Sequence, residues 1–191
     1  MLLYYTESKG RSTKMNFKAP KGIVEYARLY SLYMTAFPKC ERKPFSIIRE
    51  KHRIGKTDIW YFEDAGKFLG LCITINGDKE VLIDYFAVAE RKRGQGNGRR
   101  MLNAMLKYYS PRGVFLEIEI PYESAENYIE RVRRKKFYTS VGLSPMNTYV
   151  KLFGVDMELM GFGCHMTFDE YRNFYRENYG EQAYNKIKKV E

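Results

Sequence analysis

Hydrophobic residues follow two different spacings in the first half of this chain. Before Gly55 they recur every three or four positions, which predicts amphipathic helices at 23–37 and 44–52. After Gly55 they fall into short runs bounded by turn residues, which predicts strands at 58–63, 67–75 and 81–88. Asn76-Gly77 is a strong hairpin signal, so these strands are expected to form an antiparallel meander.

The remaining segments continue the alternation of helices and strands. They predict a short strand at 2–6, a polar connection at 7–21, a helix through 101–109, a strand at 114–120, a helix at 124–141, one or two strands within 149–162 and a helix at 167–188. Thr167 and Glu170 form a capping box for the last helix. The pattern predicts an α/β protein with a mixed, largely antiparallel central sheet flanked by helices.

Length and composition fit one folded domain. The chain has 191 residues, of which 45% are hydrophobic, so we expect a single domain over 1–191 with a less defined segment at 1–21. The three cysteines match neither a zinc site nor a disulfide framework. The chain begins without a signal-peptide pattern, and no segment approaches the roughly 18 apolar residues that span a bilayer. We expect a cytoplasmic protein with no metal and no membrane partner.

Charge narrows the choice of partner. The 33 Lys and Arg exceed the 23 Asp and Glu and leave a formal net charge of +10. This charge favours an anionic partner, such as nucleic acid, an anionic membrane surface or a polyphosphorylated cofactor. Charge alone does not choose among them.

The segment 91–100, RKRGQGNGRR, joins a predicted strand to a predicted helix. Glycines let successive backbone amides converge on an anion, and the helix N-terminus adds partial positive charge. The dinucleotide fingerprint needs a glycine where Arg99 stands, and no P-loop Gly-Lys-Ser or Gly-Lys-Thr occurs. The segment therefore predicts a polyphosphate site of another kind.

This segment, with RxxGxG at 91–96 after an antiparallel strand, resembles the acyl-CoA loop of the GNAT superfamily of N-acyltransferases. Other landmarks follow in the family's order: two helices, a meander, the loop and its helix, a further strand, and Phe137-Tyr138 shortly before Gly142-Leu143. The resemblance spans residues 23–162. FPKCERKPF, the segment between the first two helices, is similar to the same connection in a subset of small bacterial members without an assigned substrate.

The resemblance implies that backbone amides of the loop hold the pyrophosphate of CoA. The residues concerned are Arg93, Gly94, Gln95, Gly96, Asn97 and Gly98, with added charge from Arg99 and Arg100. It also implies that the fourth and fifth strands of the fold splay apart. The backbone of Phe86 and Val88 would then pair with the pantetheine arm, and the Val88 amide would polarise the acyl carbonyl.

Acyl transfer to an amine needs an unprotonated nitrogen and a proton for the departing thiolate. Tyr138 resembles the family's tyrosine beside the CoA sulfur and would supply that proton. Asp84 on the acyl-binding strand, and Glu117 and Glu119 on the polar face of the next strand, are candidate bases. A structural acceptor at Asp84 and solvated strand carboxylates at the other two positions are equally open readings.

The expected reaction is direct transfer of an acetyl group from acetyl-CoA to a primary amine. The connection around Glu41 and Arg42 would border the acceptor entrance. Nearby carboxylates suggest a cationic acceptor, such as a polyamine, an aminoglycoside or a lysine side chain of a peptide or protein. A homodimer is left open by the sequence.

Two other functions remain open at this point: an acyl-CoA sensor without turnover, and a nucleic-acid-binding protein. The basic run at 131–136 is more typical of a solvated helix face or a clamp for CoA phosphates than of a nucleic-acid surface. Cys164 and His165 do not predict a nucleophile pair, because adjacent strand or turn residues point apart.

Overall fold

The computed structural model describes residues 3–4 and 15–190. The chain divides into two compact units. The first joins the residues up to Asn76 to Asp84–Met105, and the second joins Gly77–Ile83 to the residues from Leu106 onward. The expectation of one domain over the whole chain stays a prediction.

The first unit holds four strands and two helices of its own. They are β1 (Leu3–Tyr4), β2 (Met15–Lys18), α1 (Gly22–Ala36), α2 (Phe45–Arg53), β3 (Thr57–Asp64) and β4 (Lys67–Asn76). Two elements contribute to both units. They are β5 (Glu80–Val88) and α3 (Asn97–Tyr109).

The second unit alternates strands and helices. Its elements are β6 (Gly113–Glu119), α4 (Tyr128–Ser140), β7 (Ser144–Leu152), β8 (Val155–Phe162), α5 (Phe168–Tyr179), α6 (Glu181–Lys186) and β9 (Lys188–Lys189).

The strands form a mixed, mostly antiparallel sheet, as predicted. In the first unit β1, β2, β3 and β4 lie side by side and pair antiparallel. In the second unit the order is β5, β6, β8, β7, β9, and only the β5–β6 pair is parallel. That parallel pairing ends at Leu82 and Phe115. Splaying of the two strands beyond this point stays a prediction.

The predicted connection at 7–21 is wrong in its last part, because Met15–Lys18 form β2 and pair with β3. Met15 and Phe17 are buried, and the Phe17 ring lies edge-on to Trp60 with centroids 5.3 Å apart. In β2 apolar and polar residues alternate over only four positions. This pattern is too short to predict a strand next to a basic stretch. The residues from 5 to 14 lie outside the described part of the chain.

Several predicted boundaries also change. Pro44 is the N-cap residue of α2, so the helix begins one residue later than predicted. Helix α4 begins four residues later than predicted. Strand β7 begins at Ser144 and not at residue 149. The Asn76-Gly77 hairpin becomes a longer connection closed by a bond from Gly77 N to Glu80 O (3.0 Å). The last predicted helix is two helices, because the chain turns at Gly180 with φ +81°.

The core of the first unit packs α1 and α2 against its strands. Its buried members are Leu29, Leu32, Tyr33, Ile48, Ile59, Tyr61, Leu71, Ile73, Tyr85 and Ala87. Burial of these side chains supplies the main stabilising free energy of the unit. The same packing fixes the position of the two helix ends that the α1–α2 connection joins.

Helix α5 is anchored at its start and along one face. The predicted capping box is present: Thr167 Oγ1 accepts from Glu170 N (3.3 Å), and Glu170 Oε2 accepts from Thr167 N (2.7 Å). Tyr171 and Phe174 then pack against Phe115 of β6, with ring centroids 6.4 and 5.0 Å away. The cap and these rings together set the rotation of α5 over β6.

We expect Thr167→Ala to lower the free energy of unfolding by about 1 kcal/mol, because the Glu170 amide loses its acceptor at the helix N-terminus. Urea unfolding at neutral pH measures this change. An unchanged free energy of unfolding would contradict the role of the cap.

The other half of the box depends on pH. The hydrogen bond from the Thr167 backbone amide lowers the pKa of Glu170. A lowered folded-state pKa contributes stability above the unfolded value that is lost as pH falls through the folded value. The stability difference between the wild type and Glu170→Ala is therefore expected to shrink as unfolding is repeated below about pH 4. A difference that stays constant with pH would show that the carboxylate charge contributes nothing.

Candidate active site

The loop after β5 takes an unusual backbone path. A 3₁₀ turn at Glu90–Lys92 is followed by Gly94 and Gly96, with φ of +71° and +74°. A Cβ at either glycine would meet nothing within 4 Å, so the left-handed backbone, and not lack of space, calls for glycine here. The loop then enters α3.

Three side chains of the loop bind backbone carbonyl oxygens of the same segment. The bonds run from Arg93 Nε to Val88 O (3.1 Å), from Gln95 Nε2 to Arg91 O (3.2 Å) and from Asn97 Nδ2 to Lys92 O (2.9 Å). These bonds satisfy carbonyl groups that would otherwise compete for the loop amides. The loop shape is therefore held by its own side chains.

The loop amides are correspondingly open. Within the described part of the chain, the amides of Gly94, Gln95, Gly96 and Gly98 donate to no protein acceptor. They lie at the N-terminus of α3, where uncommitted N–H groups and the helix dipole favour an anion. The structure does not group the predicted Arg93 amide with them, because Arg93 N donates to Glu90 O (3.1 Å).

The charged side chains at the start of α3 divide into two kinds. Arg99 is exposed beside the loop. Arg100 instead reaches Asp64 Oδ2 (3.0 Å) and Asn97 Oδ1 (3.2 Å), so it braces the loop against β3. Arg100, which was predicted to face a phosphate, thus binds groups of the protein itself.

The end of β5 lies close to β4 on one edge. Ala89 N donates to Leu69 O (2.8 Å), and a Cβ at Gly70 would collide with the Ala87 carbonyl oxygen. Because backbone groups alternate between the two edges of a strand, those of Phe86 and Val88 face away from β4. The predicted acyl-binding residues thus present their backbone at the opposite edge of β5.

Asp84 is ion-paired. Lys43 Nζ lies 2.8 and 2.7 Å from its two oxygens, and the Asp84 side chain is only 8% exposed. Next to it, Tyr85 OH accepts from Lys43 N (3.1 Å) and donates to Glu41 O (2.8 Å). Burial, together with the Asp84 carboxylate, raises the pKa of Tyr85, so it remains a neutral phenol.

These contacts fix the connection between α1 and α2 onto β5. Arg42, one of the predicted acceptor residues, turns back to α1 and donates to Met34 O (3.1 Å). Sequence reasoning missed the role of Lys43, which is separated from Asp84 by 41 residues. No local pattern reports a pair so distant in sequence.

Glu117 of β6 is held by two phenols. Tyr171 OH and Tyr175 OH of α5 donate to its Oε1 at 2.7 and 2.8 Å. Sequence reasoning missed both tyrosines as site residues. The only available signal was their spacing of four residues on one face of a predicted helix.

Glu119 is neutralised by arginines of α4. Arg131 Nη2 lies 2.8 Å and Arg134 Nη1 3.3 Å from its oxygens. Arg131 also donates to Ile120 O (2.8 Å), and Lys135 pairs with the buried Glu158 (2.6 Å). Three of the six residues in the basic run at 131–136 therefore bind carboxylates of their own unit, which differs from a wholly solvated helix face; a clamp for CoA phosphates stays a prediction.

Tyr138 lies half-buried near the end of α4. Its ring centroid is 5.3 Å from that of Phe137, and its carbonyl accepts from the amides of Val141 and Leu143 (3.1 and 3.2 Å). The predicted Phe137-Tyr138 and Gly142-Leu143 landmarks thus meet in one helix end.

Three further features concern metal binding, membrane spanning and the neighbouring residues Cys164 and His165. No group of three or more His, Cys, Asp or Glu side chains in the described ranges is arranged to hold a metal ion. Over the same ranges, no helix has the length and apolar character required to cross a membrane. Cys164 Sγ lies 3.4 Å from Val114 O and His165 Nε2 lies 2.8 Å from Met146 O, so the two side chains bind different carbonyls.

The model of the acetyltransferase (GNAT) family matches residues 26–133, more than half of the chain. The chain therefore belongs to the GNAT acetyltransferase family and is an acyltransferase. The resemblance seen in the sequence is confirmed at this level. A search of curated proteins found no match.

Solved structures show the same fold. A protein from Bacteroides thetaiotaomicron assigned to the GNAT acetyltransferases is 22% identical, with a TM-score of 0.74 over 86% of this chain and 98% of that one. A chimera of the spermidine N-acetyltransferase SpeG from Vibrio cholerae and hSSAT is 16% identical (TM-score 0.61, coverage 79% and 95%). Arabidopsis thaliana NAA60, in complex with a bisubstrate analogue, is 17% identical (TM-score 0.58, coverage 78% and 97%).

We expect the cysteines to differ sharply in reactivity, because only the thiolate is the nucleophile. Burial raises the pKa of Cys164 to about 11 and raises that of Cys72 further, whereas Cys40 is exposed. Mass mapping after brief iodoacetamide treatment at neutral pH should find label on Cys40 alone, and Cys40→Ser should abolish it. Equal labelling of Cys164 would contradict this environment.

Proposed function

We propose that this protein transfers an acetyl group from acetyl-CoA directly to a primary amine. The observation that carries the proposal is the set of uncommitted loop amides at Gly94, Gln95, Gly96 and Gly98 at the start of α3. Such an arrangement fits the pyrophosphate of CoA, and Arg99 adds charge at its edge. Acetyl-CoA supplies the acetyl group as an activated thioester.

The backbone of β5 supports the same proposal. Phe86 and Val88 turn their backbone groups away from β4 and are thereby oriented to pair with the pantetheine arm. The Val88 amide would polarise the acyl carbonyl as an oxyanion donor. Tyr138 would return a proton to the thiolate that leaves.

The three candidate bases, Asp84, Glu117 and Glu119, have different partners. Lysine neutralises Asp84 and two arginines neutralise Glu119. Glu117 accepts hydrogen bonds from the hydroxyls of Tyr171 and Tyr175. We take Glu117, whose carboxylate these hydroxyls orient, as the first candidate to accept the proton of the acceptor amine, while Asp84 and Glu119 fix neighbouring segments through their ion pairs.

A cationic acceptor follows from this assignment, since an ionised carboxylate attracts an ammonium group. One structural neighbour, a chimera that contains a spermidine N-acetyltransferase, is compatible with this class of acceptor. A lysine side chain in a peptide is the other acceptor of the same chemistry. The three cysteines are free, which supports a reducing, cytoplasmic setting.

Release of free CoA thiol from acetyl-CoA, measured with a panel of primary amines, tests the proposal. The panel contains spermidine, propylamine and a lysine peptide, with the corresponding alcohols as controls. We expect turnover with at least one cationic amine and none with alcohols. Acetyl-CoA binding without turnover on any amine would instead favour the sensor.

Tyr138→Phe is expected to lower kcat by about 100-fold or more while leaving the affinity for acetyl-CoA unchanged, because a general acid acts in the transition state. Tyr149→Phe, on the exposed side of β7, is the matched control. Equal kcat in Tyr138→Phe and the wild type would remove Tyr138 from the mechanism.

The carboxylates are compared by single amide substitutions. Glu117→Gln is expected to lower kcat/KM for the amine by about 100-fold, the usual contribution of a positioned base. Glu119→Gln is expected to lower the free energy of unfolding and to retain most of the turnover, because it breaks ion pairs to α4. The reverse ranking in steady-state kinetics would assign the base to Glu119.

The nucleic-acid alternative receives no support from the basic run. Arg131, Arg134 and Lys135 form ion pairs with Glu119 and Glu158 of the protein itself. The carboxylates of Glu119 and Glu158 largely balance the positive charge of these three side chains.

A further inference from the structure

Helix α1 is apolar on both of its sides. Leu29, Leu32 and Tyr33 are buried in the core of the first unit, whereas the opposite side is open to solvent. A helix with apolar residues all round is normally covered all round. The solvent side of α1 nevertheless carries exposed apolar residues, namely Ile23 (88%), Val24 (64%), Tyr30 (47%) and Met34 (41%).

Only two of the 15 residues of α1 are charged, and each has a partner in the protein. Glu25 Oε1 lies 2.9 Å from Lys18 Nζ, and Arg28 Nη1 donates to Tyr61 OH (3.0 Å). The solvent side of α1 thus offers mainly apolar area. Contiguous apolar patches with a polar rim mark protein or membrane interaction sites.

Helix α2 lies beside α1 on the same core. The Tyr30 ring is 5.4 Å from the Phe45 ring, and the Arg49 guanidinium lies 5.0 Å from the centre of the Tyr26 ring. The later part of α1 thus meets the start of α2, so the two helices run antiparallel. Because both pack on one core, their solvent sides form one surface, which we name the α1–α2 face (residues 21–56).

Cations surround the apolar residues of this face. Residues 21–56 contain nine Lys and Arg against three Glu, which leaves +6. The first unit contains 19 Lys and Arg against 9 Asp and Glu, while the second contains 14 of each, so the whole net charge of +10 belongs to the first unit. Such a field favours an anionic partner. The exposed cations of the face include Lys21, Lys39, Arg49, Arg53 and Lys56.

We propose that the α1–α2 face binds an anionic lipid surface. Ile23, Val24, Tyr30 and Met34 insert between the headgroups, and the surrounding cations bind lipid phosphates. Apolar insertion and attraction to anionic lipids act together in peripheral membrane binding, and each Lys or Arg near the surface adds to it. This interaction is independent of the proposed acetyl transfer and revises the sequence expectation of no membrane partner.

Two other occupants fit the face less well. A second copy of this chain would bring two surfaces of the same positive charge together, and like charges repel. A rigid acidic protein would need a matching pocket for each protruding side chain, and Ile23 stands almost fully clear of its neighbours at the start of α1. A fluid lipid surface accepts protruding aliphatic side chains without such pockets.

The test is flotation of the full chain with vesicles of POPC that contain about 30% of the anionic lipid POPG, and with vesicles of POPC alone. One double variant, Ile23→Ser with Val24→Ser, removes apolar area from the face. A second, Arg49→Gln with Arg53→Gln, removes charge from it. Circular dichroism checks that each variant is folded, and either variant carries the test if the other does not fold.

The matched controls lie in the second unit. Phe153→Ser with Val155→Ser changes two exposed apolar residues (56% and 40%). Lys186→Gln with Lys188→Gln removes two exposed cations. Both controls change the same side-chain chemistry as the test variants but leave the α1–α2 face intact.

We expect the wild type to bind vesicles with POPG at least about tenfold more tightly than vesicles of POPC, with binding that weakens as salt is added. Each double variant of the α1–α2 face is expected to weaken binding to the POPG vesicles about tenfold, because two inserted side chains or two cations are lost. Both controls are expected to bind like the wild type.

Failure of the wild type to float with POPG vesicles would overturn the proposal and leave a protein as the occupant of the face. Unchanged flotation of Ile23→Ser with Val24→Ser would also overturn it, since the attraction would then need no insertion. A dimer in sedimentation equilibrium that this variant dissociates would assign the face to a second copy instead. None of these outcomes bears on acetyl transfer.

Discussion

The hydrogen bonds from Arg93, Gln95 and Asn97 to carbonyl oxygens of their own loop are the interaction on which the site depends. A loop of this length normally satisfies its amides and carbonyls against each other or against water. Here side chains bind the carbonyl oxygens, and the amides of Gly94 and Gly96 donate to no acceptor among the described residues. The proposed anion site would thus be formed before an anion binds.

The acidic residues of β5 and β6 differ in the side chains that bind them. An ion pair with lysine or arginine cancels the charge of a carboxylate and fixes a neighbouring segment, as Asp84 fixes the connection between α1 and α2 and Glu119 fixes α4. Glu117 instead accepts hydrogen bonds from two phenols of α5. Residues of the same type on neighbouring strands therefore acquire different roles from their surroundings.

Much of the fold could be predicted from the sequence, because hydrophobic period and turn residues are local signals. The RxxGxG motif and the strand before it place the anion loop, and the Thr167 capping box marks the start of α5. The short β2 was not predicted, because four residues are too few to show a periodic pattern. The break at Gly180 was not predicted, because the amphipathic pattern continues on both sides of the turn. The partners of the carboxylates could not be predicted, because Glu117 and Tyr171 are 54 residues apart and meet only through packing of α5 on Phe115.

Calorimetric titration with acetyl-CoA measures directly whether the loop at 93–98 binds the cofactor. Gly94→Glu combined with Gly96→Glu brings two negative charges to the loop, and Gly66→Glu combined with Gly154→Glu is the matched control. The control glycines also have positive φ and open space around them but lie in other turns. We expect micromolar binding in the wild type and in the control, and none in the loop variant. Equal binding by the loop variant, or no binding by the wild type at physiological salt, would contradict it.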